Sequence, residues 1–325
     1  FRCLGGVGLD IITRRPIWVR LACGAGGVIF LWPGPRTPVD AANQRPDPPS
    51  TRSPPEFRTT GMDFIRMAWT WEPDTFAALW YDEGNDRMPP PLRYRSRFAT
   101  INAFEAHRAA VRAQYTGDER ERIDLLKHTL ANCEMRIEIF FGSKVHRNSD
   151  GRTRKDLRIV GARNYSYAVI LSQTAIGEEF GDIRAQLIRA DQLPTALTAS
   201  IPPCSPGSER PAQFDLQDLK PPSDTGYFGD DAHTRERQRF ERLALRPADG
   251  GGNAILRLGN FHAPHSRFRA MQWYDITGDG RYLEHRNRTH LDVRPAQPQD
   301  FTSAFSRWLD DGVRTLREKE EDAYF

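Results

Sequence analysis

Between Glu134 and Arg189 the chain alternates apolar and polar residues in four successive runs, and this stretch limits what the remainder can fold into. Met135, Ile137, Ile139 and Phe141 alternate with Glu134, Arg136 and Glu138, which makes one face apolar and one polar. After a basic loop, Leu157 and Ile159 resume the alternation. Tyr165, Tyr167, Val169 and Leu171 form a third strand whose other face carries Ala168 and Ile170, so it is expected to be covered on both sides. Ile183, Ala185 and Leu187 alternate with Arg184, Gln186 and Arg189 in a fourth. Connections this short predict antiparallel neighbours, because a parallel crossover takes about a dozen residues or more.

The flanking segments read as elements that pack on this sheet or extend it. Met67 to Trp71 has strand-like alternation with aromatic residues. Pro73 opens a helix with Phe76, Leu79 and Trp80 on one face, and Gly84 suits its stop. The prolines within Met88–Leu92 mark an extended linker, and Leu92 to Phe98 is expected as a strand. Asn102 with Glu105, and Thr116 with Glu119, have the spacing of capping boxes and open two helices. Beyond Ala190 a short helix turns Leu193 and Leu197 inward. Ile201 to Pro222 reads as a long loop, and Ala232 to Arg246 as a charged helix with Phe240 and Leu243 as apolar positions. Gly250, Gly251 and Gly252 read as a break. Ala254 to Leu258 and Phe268 to Tyr274 then alternate as strands, Thr277-Gly278-Asp279-Gly280 is a hairpin turn, and Tyr282 to Val293 returns as one or two strands. Phe301, Phe305, Trp308, Leu309, Val313 and Leu316 mark a C-terminal amphipathic helix. The order predicts two similar α+β halves, roughly 62–200 and 223–325, whose strands share a sheet within one domain over 62–325.

Charge excludes one class of partner. The 46 Lys and Arg against 43 Asp and Glu leave +3, too balanced for a nucleic-acid binder. Residues 1–61 hold eight basic and four acidic residues, so the remainder is close to neutral. That first segment also differs in composition, with nine of the 24 prolines. It is expected to be disordered, or an upstream-translated extension with Met62 or Met67 as the natural start. Ile17 to Trp32, behind Arg14 and Arg15, has the look of an export segment. Its sixteen residues, interrupted by Arg20 and three glycines, fall short of the roughly 20 a spanning helix takes. No membrane insertion is expected. Cys3, Cys23, Cys133 and Cys204 form no CxxC pair, so free thiols in a reducing cytoplasm are expected.

Chemical motifs are weak throughout. His262 and His265 flank Pro264 and lack a nearby third ligand, which favours an exposed loop pair over a metal site. Asp275 to Gly280 resembles the opening of a calcium loop, but Arg286 stands where the bidentate Glu belongs, which favours a hairpin. The glycines at 24, 26 and 27 and at 250–252 lack the Gly-Lys-Ser/Thr of a phosphate loop. No catalytic residue, cofactor site or metal site is expected. Trp69, Trp71, Trp80, Trp273 and Trp308 are expected mostly in the core, with one or two at a sheet edge as anchors for a partner helix. The basic loop Gly142–Arg154 reads as a long hairpin loop or a steering arm for an acidic partner.

From Trp69 onward the order of elements resembles the EspG family of ESX (type VII) secretion-associated proteins of actinobacteria. Thr70 to Trp80 looks like that family's opening strand and helix, and Met88 to Leu92 like its proline-rich segment. Leu126 to Ile139, Tyr167 to Gln173, Leu187 to Leu197 and Trp273 to Leu283 resemble further family segments. The resemblance implies an α+β fold with a central antiparallel sheet, helical bundles and a quasi-two-fold arrangement of the halves. It implies a non-enzymatic cytoplasmic chaperone that covers the hydrophobic helical tip of a PE–PPE heterodimer. Separately, a weak homodimer is among the expected partners. It assigns no partner-contact residues. The competing expectations are an adaptor for another helical protein and a hydrolase using a cleft between the halves.

Overall fold

The computed structural model describes residues 22–23, 27–28, 67–143, 155–219, 231–262 and 268–322. Phe1–Thr60 and Gly61–Phe325 form separate units. In the first, β1 (Ala22–Cys23) pairs antiparallel with β2 (Gly27–Val28). The remaining segment of residues 1–61, and residues 144–154 of the basic loop, lie outside the described residues.

The second unit opens with β3 (Met67–Trp71), α1 (Pro73–Trp80), α2 (Ile101–Gln114) and α3 (Gly117–Ala131). The meander β4 (Met135–Ser143), β5 (Lys155–Asn164), β6 (Tyr167–Ile176) and β7 (Glu179–Arg189) follows, and then α4 (Leu193–Ser200). The second half repeats the plan with β8 (Ala212–Asp215), α5 (Asp231–Ala244), β9 (Ala248–Leu258), β10 (Arg269–Ile276), β11 (Gly280–Arg286), β12 (His290–Pro295) and α6 (Pro298–Asp322).

All ten strands of this unit share one sheet in the order β3-β7-β6-β5-β4-β9-β10-β11-β12-β8. Every pairing between these strands is antiparallel. The two halves join where β4 pairs with β9, from Met135 opposite Leu258 to Ser143 opposite Gly250, with Ile139 opposite Ala254 at the middle. A two-fold axis through that midpoint, normal to the sheet, exchanges β4 with β9, β5 with β10, β6 with β11, β7 with β12 and β3 with β8. This is the quasi-two-fold α+β arrangement with a central antiparallel sheet.

Strand alternation divides the core between two faces. On one face, Met135, Ile137, Ile139, Ala254, Leu256 and Trp273 are buried beneath α4 and α6 through Leu193, Leu197, Phe301, Phe305 and Trp308. On the other, α1 and α3 cover Val160, Val169, Leu171, Ile183 and Leu187 through Phe76, Trp80, Ile123, Leu126 and Leu130. A smaller cluster on that same face sets Phe240 and Leu243 of α5 on Phe214, Ile276, Tyr282, Leu291 and Val293. β6 is covered on both sides, as its sequence predicts: Ala168 and Ile170 face one core, Val169 and Leu171 the other.

Several local expectations are corrected. Gly250–Gly252 do not break the chain but lie inside β9, where a side chain at Gly252 would come within 2.5 Å of the Trp273 ring. Ile201–Pro222 is not wholly a loop: it contains β8, so the second half begins ahead of residue 223. Leu92–Phe98 forms no strand. It is held by Gln173, whose Oε1 accepts from Arg93 N and whose Nε2 donates to Arg93 O, both at 2.9 Å. Helix α2 is capped by Thr100 rather than Asn102, with Thr100 Oγ1 accepting from Ala103 N at 3.2 Å. Helix α1 stops at Trp80, ahead of Gly84.

Candidate functional site

On the face that carries α1–α3 and α5, the two helical covers sit over the outer strands of each half. Between them lies the seam of β4 and β9, whose residues on this face are partly covered apart from the buried Arg136 and Gly142. Register fixes their layout in rows across the strands. Arg136 stands opposite Arg257, Glu138 opposite Ile255, Phe140 opposite Asn253 and Gly142 opposite Gly251. β5 and β10 extend the rows, with Arg158 beside Phe140, Gln272 beside Asn253, Asp156 beside Gly142 and Tyr274 beside Gly251. Glu138, Phe140, Asn253, Ile255, Arg257, Gln272 and Tyr274 are all half-buried, whereas the opposite face of the same strands is sealed.

The strip is chemically graded along its length. At one end, Glu138 bonds both arginines: Arg136 Nε donates to Oε1 at 3.0 Å and Arg257 Nε to Oε2 at 2.9 Å. Arg136 is fully buried and also donates to the carbonyls of Gly259 and Asn260, each at 2.6 Å. Its guanidinium lies 5.0 Å from the Phe261 ring, which meets Trp80 edge-on at 6.3 Å. That end is therefore a cationic cluster clamped to the loop after β9 and, through Phe261, to α1. Cys133 lies beside it, and burial pushes its thiol up to about 12, which makes it inert rather than nucleophilic. In the middle, Phe140 and Ile255 offer an apolar diagonal. At the far end stand Gly142, which is buried, and Gly251, where a side chain would come within 2.8 Å of the Trp273 carbonyl.

Beyond that end, hydrogen bonds gather on Asp279 of the β10–β11 turn. Its carboxylate accepts from Tyr282 Oη at 2.6 Å, from Ser208 N and Oγ at 2.8 Å, and pairs with Arg246 at 2.7 Å. These bonds, that of Tyr282 first, hold its pKa well below the ordinary carboxylate range. On the sealed face, Arg281 forms a buried bidentate pair with Asp275, at 2.6 and 2.8 Å. The supposed calcium-loop carboxylates are thus structural anchors of a hairpin, and Arg286 is exposed. His262 is exposed, and His265 lies outside the described residues. Among the described residues no group of three or more His, Cys, Asp or Glu stands close enough to hold a metal ion, and no helix is long and apolar enough to cross a membrane. Of the tryptophans, Trp71, Trp80, Trp273 and Trp308 are buried, and Trp69 is half-buried on edge strand β3. The sequence offered no signal for the strip, because it depends on which strand of one half lies against which strand of the other.

Comparison with family profiles gives one match. The EspG family profile matches residues 72–307, from the start of α1 through the seam and into α6. Among solved structures, the fold is similar to a chain of the Mycobacterium tuberculosis type VII secretion system chaperone EspG5 in complex with the PE25–PPE41 dimer. That likeness has 13% identity, covers 75% of this chain and 96% of that one, and has a TM-score of 0.47. HtdX of M. tuberculosis, at 13% identity, covers 70% of this chain and 99% of its own, with a TM-score of 0.17. The tesB protein of M. avium subs. paratuberculosis, at 10% identity, covers 69% and 98%, also at 0.17. No curated protein matches the chain. With the family profile aligned across both halves of the sheet, the chain belongs to the EspG family.

Proposed function

We propose that this chain is a chaperone of a type VII secretion system, and that it binds a PE–PPE substrate pair as EspG5 is described doing with PE25–PPE41. Membership of the EspG family over residues 72–307 carries this reading. In physical terms such a chaperone shields an apolar helical tip that would otherwise associate with itself. The seam strip is suited to this. Phe140 and Ile255 supply partly exposed apolar contact, and the Arg136–Glu138–Arg257 cluster supplies a net positive end. The action is non-catalytic. Charged side chains around the seam are committed to structural pairs, Glu138 to two arginines, Asp275 to Arg281 and Asp279 to Arg246. The reading places the protein in the cytoplasm, where a client is held before export. Co-expression with PE–PPE pairs from the same genome, followed by size-exclusion chromatography, tests it. A 1:1:1 complex with at least one pair is expected, and failure with every pair contradicts the proposal.

A further inference from the structure

The turn between β5 and β6 holds a residue that the fold itself does not account for. Asn164 pairs with Tyr167, so Tyr165 and Ser166 form a two-residue hairpin loop. Tyr165 has φ +47, and among the described residues it is the only one other than glycine in the left-handed region. A two-residue loop whose first residue alone is left-handed normally takes glycine there, and asparagine is tolerated, whereas a bulky side chain is strained. Packing within the chain does not offset that strain, because Tyr165 is 75% exposed. Exposure of a single aromatic residue is ordinary, but exposure on a strained backbone points to function. The loop is also pinned, since the Ser166 carbonyl accepts from Ala190 N at 2.9 Å.

Hydrogen bonds join this turn to the cationic end of the seam. Arg163, two residues ahead of Tyr165, donates to Glu134 Oε1 at 2.6 Å. The Glu134 carbonyl accepts from Gly259 N at 2.7 Å, and the Gly259 carbonyl accepts from Arg136 at 2.6 Å. Arg136 stands opposite Ala162. Tyr165 therefore lies about 10 Å beyond Arg136 along the strand direction and one strand spacing, about 5 Å, aside.

We infer that Tyr165 is a contact residue for the client, an aromatic anchor that holds the PE–PPE pair just beyond the cationic end of the seam. The inference rests on the chaperone reading and adds a named contact to it. Tyrosine suits the role, because its ring offers a large contact area and few rotatable bonds are frozen when it is covered. On a pinned turn the ring stands in place before the client arrives, which lowers the entropy lost on binding. The surface it fits is an apolar hollow on the client, which the ring fills.

Calorimetry of a purified PE–PPE pair against four chains tests this: the unaltered one, Tyr165→Gly, Tyr165→Asn and Tyr165→Phe, each with an unfolding curve. Glycine and asparagine suit a left-handed turn, so neither variant lowers the unfolding midpoint. Both weaken binding at least about tenfold. Tyr165→Phe keeps the ring and stays within about threefold of the unaltered chain. Undiminished binding by folded Tyr165→Gly and Tyr165→Asn overturns the inference and leaves the chaperone reading intact. A lowered midpoint in both also overturns it, since the ring would then be packed within the chain. An unaltered chain that binds no pair contradicts the chaperone reading itself, and the inference falls with it.

Discussion

Arg136 and Arg257 stand directly opposite each other across the β4–β9 seam, two like charges in one cross-strand pair. Such a pair is destabilising on its own. Glu138, one pleat along on β4, resolves it by giving one carboxylate oxygen to each guanidinium. The join between the halves is thus electrostatic on one face and apolar on the other, where Ile137, Ile139, Ala254 and Leu256 pack beneath α4 and α6.

Glu138→Gln should cost about 2–4 kcal/mol of unfolding free energy, because it leaves two apposed cations without their shared anion. Adding Arg257→Met to that variant should recover part of the loss by removing the repulsion. Urea denaturation of the unaltered chain, both single variants and the double variant checks this as a double-mutant cycle. Additive effects would mean that Glu138 and Arg257 are not coupled.

Glycine substitutions should separate backbone crowding from flexible packing. At Gly252 an added Cβ meets the Phe140 carbonyl O at 2.7 Å and the Trp273 ring of β10 at 2.5 Å, so Gly252→Ala should destabilise by about 1–3 kcal/mol. At Gly312 the nearest atoms are the tips of Met135 and Leu258, at 3.1 to 3.2 Å. Those tips can give way, and alanine favours a helix interior over glycine by about 1 kcal/mol. Gly312→Ala should therefore be near neutral or stabilising. Thermal unfolding of both variants decides it.

Acid should release the β10–β11 turn. The folded pKa of Asp279 is depressed below the unfolded value of about 3.9 by its bonds to Tyr282, Ser208 and Arg246. Its contribution is therefore present above the unfolded value and is lost as pH falls through the folded one. Asp279→Asn should lose about 1–3 kcal/mol at pH 7, and the gap from the unaltered chain should close as pH drops below about 4. Unfolding free energies at pH 7, 5 and 3 read the trend, and a gap independent of pH would contradict it.

Period-two alternation made β4 to β7 legible, along with the double burial of β6, because each strand shows its two faces in its own residues. Leu193 and Leu197 were equally legible, since they pack over Gly161 at a spacing a short helix supplies. Gly250 to Gly252 misled because strand preference is a matter of neighbours: Gly252 admits the Trp273 ring, and side chains at Gly250 and Gly251 would crowd the backbone of the flanking strands. β8 was hidden in a proline-rich stretch, since four residues with a single buried Phe214 give no period to read. The candidate site was not legible at all. Arg136, Phe140, Ile255 and Arg257 come together only through pairing between residues more than a hundred positions apart.

The most direct test of the account is binding of a purified PE–PPE pair to the unaltered chain and to Phe140→Asp/Ile255→Asp, measured by calorimetry beside an unfolding curve for each. The account predicts a 1:1:1 complex for the unaltered chain. It predicts affinity reduced by at least about a hundredfold in the double variant, since two carboxylates would face an apolar tip, with folding retained because both positions are only half-buried. Undiminished binding by a folded double variant would contradict the assignment of the seam as the client's seat.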